Sequence, residues 1–184
     1  MNTKYHTFWP RFFAVILDGL IFLLLGFAVN VIADNYVAAP FLTAWFFIRG
    51  FSQPIYRILM HGRYGQTVGK MAMGIIIIHA SEDSVINYKK AIIREFPNWI
   101  AATLYFIMKV NLQFFPSAFP NHAVNVVYLV FGGANLIWFL LEVITMFTND
   151  KRRALHDYLA HTVVVRKEFL IPEVPLLEIE EKAA

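Results

Sequence analysis

The sequence contains no cysteine, and charged residues make up only 16% of its 184 residues. Without cysteine there is no disulfide, no thiolate metal site and no thiol nucleophile. So little charge does not cover the surface of a soluble domain of this length. The sequence also lacks an HExxH zinc pair and a G-x-S-x-G nucleophile elbow. We therefore do not expect an enzyme, and we expect neither a cofactor nor a bound metal.

Hydrophobic residues, by contrast, make up 58% of the chain and lie in long runs. A helix crosses the hydrocarbon core of a bilayer with roughly 17–25 residues. Four runs meet this length, and proline stands at the start of three of them, where its fixed φ suits the first helical turn. The sequence therefore predicts an all-α membrane protein with four transmembrane helices, at about residues 12–32, 41–60, 98–115 and 123–147.

The basic residues are distributed unevenly among the segments that connect these spans. The N-terminal arm, the connection 57–94 and the region after residue 147 are rich in lysine and arginine, whereas the other two connections hold only Lys109. Cytoplasmic loops carry the Lys/Arg excess. The pattern predicts a four-helix bundle with both termini in the cytoplasm and with Asn35 and Ser117 outside. The net charge of +3 then reflects contact with anionic lipid headgroups, and we do not expect nucleic-acid binding.

Two short β-branched runs lie in the predicted cytoplasmic regions, GIIIIH at 74–79 and HTVVVRK at 161–167. A lone strand would leave backbone donors and acceptors without partners, so we expect these two strands to pair. Residues 86–96 are predicted to form an amphipathic helix at the membrane interface. We therefore predict that residues 1–168 form a single transmembrane domain. The remaining residues, 169–184, are acidic and interrupted by proline, and are predicted to be disordered.

The stretch GQTVGK, residues 65–70, allows two interpretations. A phosphate-binding loop requires four residues between its glycines, and Ser or Thr after its lysine. Here three residues separate Gly65 from Gly69, and Met71 follows Lys70. We therefore favour a helix whose small residues let another backbone approach closely.

Three ionisable residues lie within the predicted spans: Asp18, Arg49 and Glu142. Inserting a charged side chain into the bilayer costs about 2.5–3.5 kcal/mol on insertion scales, so each of the three requires a structural or functional reason. With a rise of about 1.5 Å per residue, all three lie about 10–12 Å from the inner boundary of the membrane. Gln53 and Asn135 fall on the same helix faces as Arg49 and Glu142. We predict that these side chains share one layer in the interior of the bundle.

This layer has two interpretations. It could be a buried ion-pair cluster that orients the helices and has no further role, because buried charges also act as specificity devices. It could instead be a site with one net negative charge that takes a proton or a monovalent cation, since intramembrane carboxylates mark such paths.

The sequence resembles the RDD family of small bacterial membrane proteins in four segments that occur in family order: WPRFFAVILDGL, GQTVGKMAMGI, AIIREF and RRALHDYLAHTVVV. They extend from Trp9 to Val165. The resemblance implies a multi-pass protein of the bacterial plasma (inner) membrane and a role in solute transport. The family is named for one arginine and two aspartates, which the resemblance places at Arg11, Asp18 and Asp157.

The segment directly after the fourth span contains Arg153, His156 and Asp157. Asp157 can pair with Arg11, because both lie at the cytoplasmic boundary, and such a pair would fix the first helix to the last. His156 beside this aspartate could instead relay protons between the cytoplasm and Glu142, since its charge changes near neutral pH. The sequence leaves both interpretations, a staple and a relay, open.

Two classes of function are consistent with these features. The first is a transporter of a small solute, or of a monovalent cation or proton, through the charged layer. Four helices form a narrow bundle, so a path would require a homo-oligomer, and no inverted repeat of the kind common in transporters is visible. The second is a membrane anchor or assembly protein whose basic cytoplasmic face binds lipids or a protein partner.

Overall fold

The chain is mostly helical, with one small sheet. The computed structural model describes residues 3–33, 39–115 and 120–170, and these begin and end with short 3-10 helices, Thr3–Tyr5 and Lys167–Phe169. In chain order the elements between them are α1 (Phe8–Ala33), α2 (Ala39–Tyr64), α3 (Val68–Ala72), β1 (Ile75–His79), α4 (Tyr88–Phe114), α5 (Asn121–Phe147), α6 (Leu155–Ala160) and β2 (Thr162–Arg166).

Each of the four long helices covers one predicted span, and the third span, 98–115, ends one residue beyond α4. They have 26 or 27 residues, which corresponds to about 40 Å at 1.5 Å per residue. By length and composition, two stretches of the described residues are apolar enough to cross a membrane: Thr3–Phe27 and His122–Phe147, each with a mean hydropathy of 1.9. Helices α2 and α4 are as long but carry more polar residues.

Helix α2 packs mainly against α4. The contact is aromatic: the ring of Phe51 lies 5.2 Å from that of Trp99, measured between centroids, and Phe47 meets Phe106 edge to face at 6.0 Å. The predicted interfacial helix at 86–96 is not a separate element, because α4 runs without a break through Pro97. It begins where the Asn87 side chain accepts a hydrogen bond from the backbone of Lys90 at 3.1 Å.

Strands β1 and β2 pair antiparallel, with Ile75 opposite Arg166 and His79 opposite Thr162. This confirms the predicted pairing. Both faces of the sheet are covered: one packs on Ala14 of α1 and Ala91 of α4, and the other packs on residues that include Tyr5, Val85 and Leu170. The buried core of the molecule therefore lies at this end, formed by the sheet with α3 and α6, which we call the sheet end.

The long helices, in contrast, expose large apolar side chains along most of their length. Leu24 is 66% exposed and Leu129 is 75% exposed. Apolar surface of this extent is unusual for a protein surrounded by water and is expected where lipid is the solvent.

The glycine-containing stretch is only partly the helix that we favoured. Gly65 ends α2 with a φ of +64°, a conformation that glycine adopts without steric cost. Thr67 then caps α3, accepting a hydrogen bond from the backbone N–H of Lys70 at 3.3 Å. Gly69 does approach another backbone closely, that of Ala14 in α1. The stretch thus folds back onto α1 and places α3 against it.

Part of the predicted disordered tail has structure, because Phe169 belongs to the 3-10 helix Lys167–Phe169. The rest of that tail, residues 171–184, lies outside the described residues. Asn35 and Ser117, which we predict to be outside the cell, also lie outside them.

Replacing Gly69 by alanine would place a Cβ against the backbone carbonyl of Ala14. Neither backbone moves as easily as a side chain, so we expect a lower melting temperature in detergent, with a loss of about 1–3 kcal/mol typical of overpacking. Gly19→Ala is the matched control in α1, because its added Cβ meets no atom within 4 Å. Equal effects of the two substitutions would contradict the close approach.

Candidate functional site

Asp157 lies at the centre of a fully buried polar cluster at the sheet end. Arg11 of α1 donates from Nη1 to its Oδ2 at 2.6 Å, which is the pair expected from the sequence. Arg94 of α4 donates from Nη1 to its Oδ1. The backbone of Ala154 donates at 3.0 Å and the hydroxyl of Thr162 at 3.3 Å. One carboxylate thus joins α1, α4, α6 and β2.

The charges around Asp157 fix its ionisation. Burial by itself raises the pKa of a carboxyl, because it disfavours the charged form. The guanidinium groups of Arg94 and Arg11 outweigh this effect and hold the pKa of Asp157 well below its usual range. The carboxylate is therefore ionised at every physiological pH, which suits a structural anchor better than a proton carrier.

His156 connects this cluster to Glu142 on α5. Its Nε2 lies 2.6 Å from Nη2 of Arg94, and its Nδ1 lies 2.5 Å from Oε2 of Glu142. A guanidinium has only donors, so Nε2 must accept and the ring proton must sit on Nδ1, facing Glu142. The backbone N–H of His156 also donates to Glu142 at 3.2 Å. The predicted neighbourhood of His156 and Glu142 is therefore present, with the tautomer set by Arg94.

Arg153 is the other residue that the sequence indicated next to the fourth span. It donates hydrogen bonds to nearby backbone carbonyls. Its Nε donates to the carbonyl of Thr162 at 2.9 Å and its Nη2 to that of Asp157 at 3.2 Å. Its guanidinium carbon lies 4.2 Å from the ring centroid of Tyr158. These contacts hold α6 against β2 and leave Arg153 outside the Asp157 carboxylate cluster.

Asp18 is buried in α1 and binds the glycine-containing stretch. Its Oδ1 accepts from the backbone N–H of Gly69 at 2.8 Å and from the hydroxyl of Tyr56 at 3.1 Å. The same hydroxyl accepts from the backbone N–H of Val68 at 2.9 Å. Asp18 therefore positions α3 between α1 and α2, a role that the sequence did not reveal.

Arg49, Gln53 and Asn135 line a common cavity of about 390 Å³ between α2, α4 and α5. The guanidinium of Arg49 also lies over the ring of Trp45, with its carbon 5.7 Å from the centroid. The remaining polar residues of the lining are Arg57, Asn98 and Tyr105. Three of the five residues of the predicted layer therefore lie around one cavity.

The single charged cluster that we predicted is not what the structure shows. Within the described residues, no ion pair joins Asp18, Arg49 and Glu142 to one another. The reason is that Asp18 and Glu142 each accept hydrogen bonds from groups close by, Gly69 and Tyr56 in the first case and His156 in the second. Arg49 lines the cavity and lies over Trp45.

A second chain of polar contacts, which the sequence analysis missed, lies beside α3. Lys70 Nζ is 2.7 Å from Nε2 of His61, and Nδ1 of His61 is 3.7 Å from Oε1 of Glu95. Burial is the main cause that lowers the pKa of Lys70 well below its usual value. The two interpretations of the GQTVGK stretch, a phosphate-binding loop and a close-packing helix, do not include this contact of Lys70 with His61.

Arg94 is the most important residue missed, since it touches both Asp157 and His156. The signal for it was the adjacent charge pair Arg94–Glu95 shortly before Pro97, at the predicted entrance to the third span.

Glu82 was missed as well: it binds Lys4 and Lys151, both at 2.6 Å. Burial raises its pKa, but hydrogen bonds from these lysines and from Tyr5 lower the pKa of Glu82 to about 2.

The long helices expose apolar faces, and the buried ionic clusters lie at one end of the molecule. These features are those of a helical membrane protein. The model of the RDD family matches residues 5–161, so the chain belongs to the RDD family. No curated protein and no solved structure matches the chain. In the parts that the structure describes, no group of three or more His, Asp or Glu side chains is placed to hold a metal ion.

Asp157→Asn should destabilise the fold by about 3–5 kcal/mol, because it leaves two buried guanidinium groups without their counter-ion. Thermal melts in detergent at pH 7 would measure this loss. Glu168→Gln is the control, since it removes the exposed pair with Arg166 and such pairs contribute little. A melting temperature of Asp157→Asn equal to that of the control would show that the cluster does not hold the fold together.

The same cluster predicts acid sensitivity. Because the pKa of Asp157 is lower in the folded than in the unfolded chain, its contribution is present above about pH 4 and is lost as the pH falls towards the folded-state value. Melting temperatures of the unmodified protein should therefore fall from pH 5 to pH 3, and those of Asp157→Asn should fall less. Parallel curves would contradict this assignment.

Proposed function

We propose that the chain crosses the bacterial plasma membrane four times, with both termini in the cytoplasm. The apolar helices α1 and α5 support this directly, since both contain a stretch long and apolar enough to span. Support for α2 and α4 comes from their length and from the position of their polar residues, of which Arg49, Gln53 and Asn98 line the cavity between α2, α4 and α5. Polar groups that line a cavity are tolerated at membrane depth.

Because the chain has no native cysteine, single cysteines can test this topology. Asn35→Cys should react with a membrane-impermeant thiol reagent in intact cells, since we place this residue outside. Ser84→Cys lies in the exposed turn after β1 and should react only after permeabilisation. Labelling of Ser84→Cys in intact cells would overturn the proposed orientation.

We propose that the protein transports a small solute or a proton across this membrane. The monovalent cation, which the sequence also allowed, does not suit this cavity, because two guanidinium groups, those of Arg49 and Arg57, line it. The observation that carries this proposal is the cavity between α2, α4 and α5, whose lining includes Arg49, Gln53 and Asn135. Its volume of about 390 Å³ lies within the roughly 300–1,000 Å³ of small-molecule sites. As a narrow bundle, the protein would form the path as a homo-oligomer.

Proton movement is supported by a separate observation, the contact of His156 with Glu142. Glu142 lies seven residues after Asn135 on α5, which is about two helical turns, or roughly 10 Å. A neutral imidazole can give its Nδ1 proton to a carboxylate only if Nε2 takes another proton. In the proposed step Arg94 releases Nε2 of His156, Nε2 takes a proton from water, and Nδ1 passes its own proton to Glu142. The imidazole stays neutral, and Glu142 then holds the proton on the side of α5 that leads to the cavity.

The alternative function is a membrane anchor or assembly protein. The basic residues of the sheet end, including Lys89, Lys90 and Lys167, would then bind anionic lipids or a protein partner. The buried clusters that join α1, α4, α6 and β2 suit such a rigid platform. Transport assays separate the two functions, because an anchor moves no solute.

Purified protein in vesicles of neutral lipid, loaded with a pH-sensitive dye, should dissipate an imposed proton gradient faster than empty vesicles. Glu142→Gln should reduce this rate, because the amide cannot accept the proton from His156. Glu168→Gln is the matched control at an exposed site. Flux equal to that of empty vesicles, together with a native melting temperature, would exclude the proton pathway and favour the anchor unless another solute is moved.

A further inference from the structure

Arg49 and Gln53 line two cavities at once. The first is the polar cavity between α2, α4 and α5. The second has a volume of about 690 Å³, lies between α1 and α2, and is lined mainly by apolar side chains: Phe22, Leu23, Leu25, Phe27, Trp45 and Ile48. A ligand that occupied both cavities would contact the side chain of Arg49.

The polar cavity has the chemistry of an anion site. The guanidinium of Arg49 presents a planar set of donors that matches the two oxygens of a carboxylate. Gln53 and Tyr105 add a further amide and hydroxyl, and Arg57 adds a second positive charge, with Glu95 as its counter-ion at 3.7 Å. No carboxylate is among the described residues that line this cavity. Two guanidinium groups would repel a cation in the same place.

The second cavity has the chemistry of a site for a hydrocarbon chain. Its wall is formed by aliphatic and aromatic side chains, with Ser52 as a small polar exception. Gly26 also lines this cavity. A side chain at this position has room, since a Cβ built on Gly26 meets no atom within 4 Å. Each CH₂ group buried there should strengthen binding by about fourfold.

We propose that these two cavities together bind a single-chain amphiphilic anion, with a carboxylate head on Arg49 and an apolar chain between α1 and α2. This inference rests on the proposed function in one respect: both use the polar cavity. For that cavity it names the class of solute, an amphiphilic anion. We name a single chain because the apolar cavity beside Arg49 offers a place for one chain, and a two-chain phospholipid is an outcome of the test below. Both volumes are those of small-molecule sites, roughly 300–1,000 Å³.

Trp45 provides a local signal for such a ligand, because it lines the apolar cavity and lies under Arg49. Bromododecanoate, which carries a quenching bromine on its chain, should quench tryptophan fluorescence saturably in protein held in neutral-lipid nanodiscs. Trp45→Phe should remove most of this quenching. Unlabelled dodecanoate should compete, and dodecyltrimethylammonium, with the same chain and a cationic head, should not.

Two variants separate the head from the chain. Arg49→Gln should weaken binding by about tenfold or more, the loss expected for a charge-assisted contact. Arg63→Gln is its control, since it removes the same charge on α2 at a residue that lines neither cavity. Gly26→Leu should weaken binding by filling the apolar cavity, while Gly132→Leu, with equally open space on α5, should not.

Three outcomes would overturn the inference. Equal competition by the cationic amphiphile would show unspecific partitioning into lipid. Quenching by a brominated anionic phospholipid that is stronger than that by bromododecanoate would make the cavities a lipid site. Unchanged affinity of Arg49→Gln, in a variant with a native melting temperature, would remove the proposed head site. Saturable binding without any flux of dodecanoate or protons in vesicles would leave this inference standing and refute transport instead.

Discussion

The burial of one carboxylate between two guanidinium groups is the constraint on which the sheet end depends. Asp157 holds Arg11 of α1 and Arg94 of α4, and no surface salt bridge could replace it because all three side chains are out of water. The desolvation of three charges offsets much of their mutual attraction, so the net gain in stability is small compared with the penalty for removing one partner. The cluster therefore specifies how the helices meet, rather than simply adding stability.

The rest of the sheet end closes around this cluster. The two strands bury their isoleucines and valines on both faces, and Asp18 fixes α3 through a backbone N–H of Gly69. Farther along the long helices the packing opens, apolar side chains face outward, and two cavities meet at Arg49. The molecule thus combines a closely packed sheet end with a helical part that contains two cavities.

Helix faces and depth in the membrane differ in what they predict about side-chain contacts. Helical periodicity places Gln53 one turn from Arg49 whatever the rest of the chain does, so residues on one face could be grouped in advance. The depth of a residue in the membrane, by contrast, does not predict which residue it will contact. Asp18 and Glu142 found hydrogen-bond donors nearer than Arg49, and one of those donors is a backbone amide that no residue type reveals.

The sequence by itself determined the long apolar helices, the pairing of the two β-branched strands and the meeting of Arg11 with Asp157, because each follows from local pattern or from complementary charge at a shared boundary. Only the tertiary structure decided that Arg94 would complete the cluster and set the tautomer of His156. It alone also brought Arg49 to the border of a polar and an apolar cavity. Such contacts depend on the angle and separation at which helices pack, and these are properties of the whole fold that no single segment encodes.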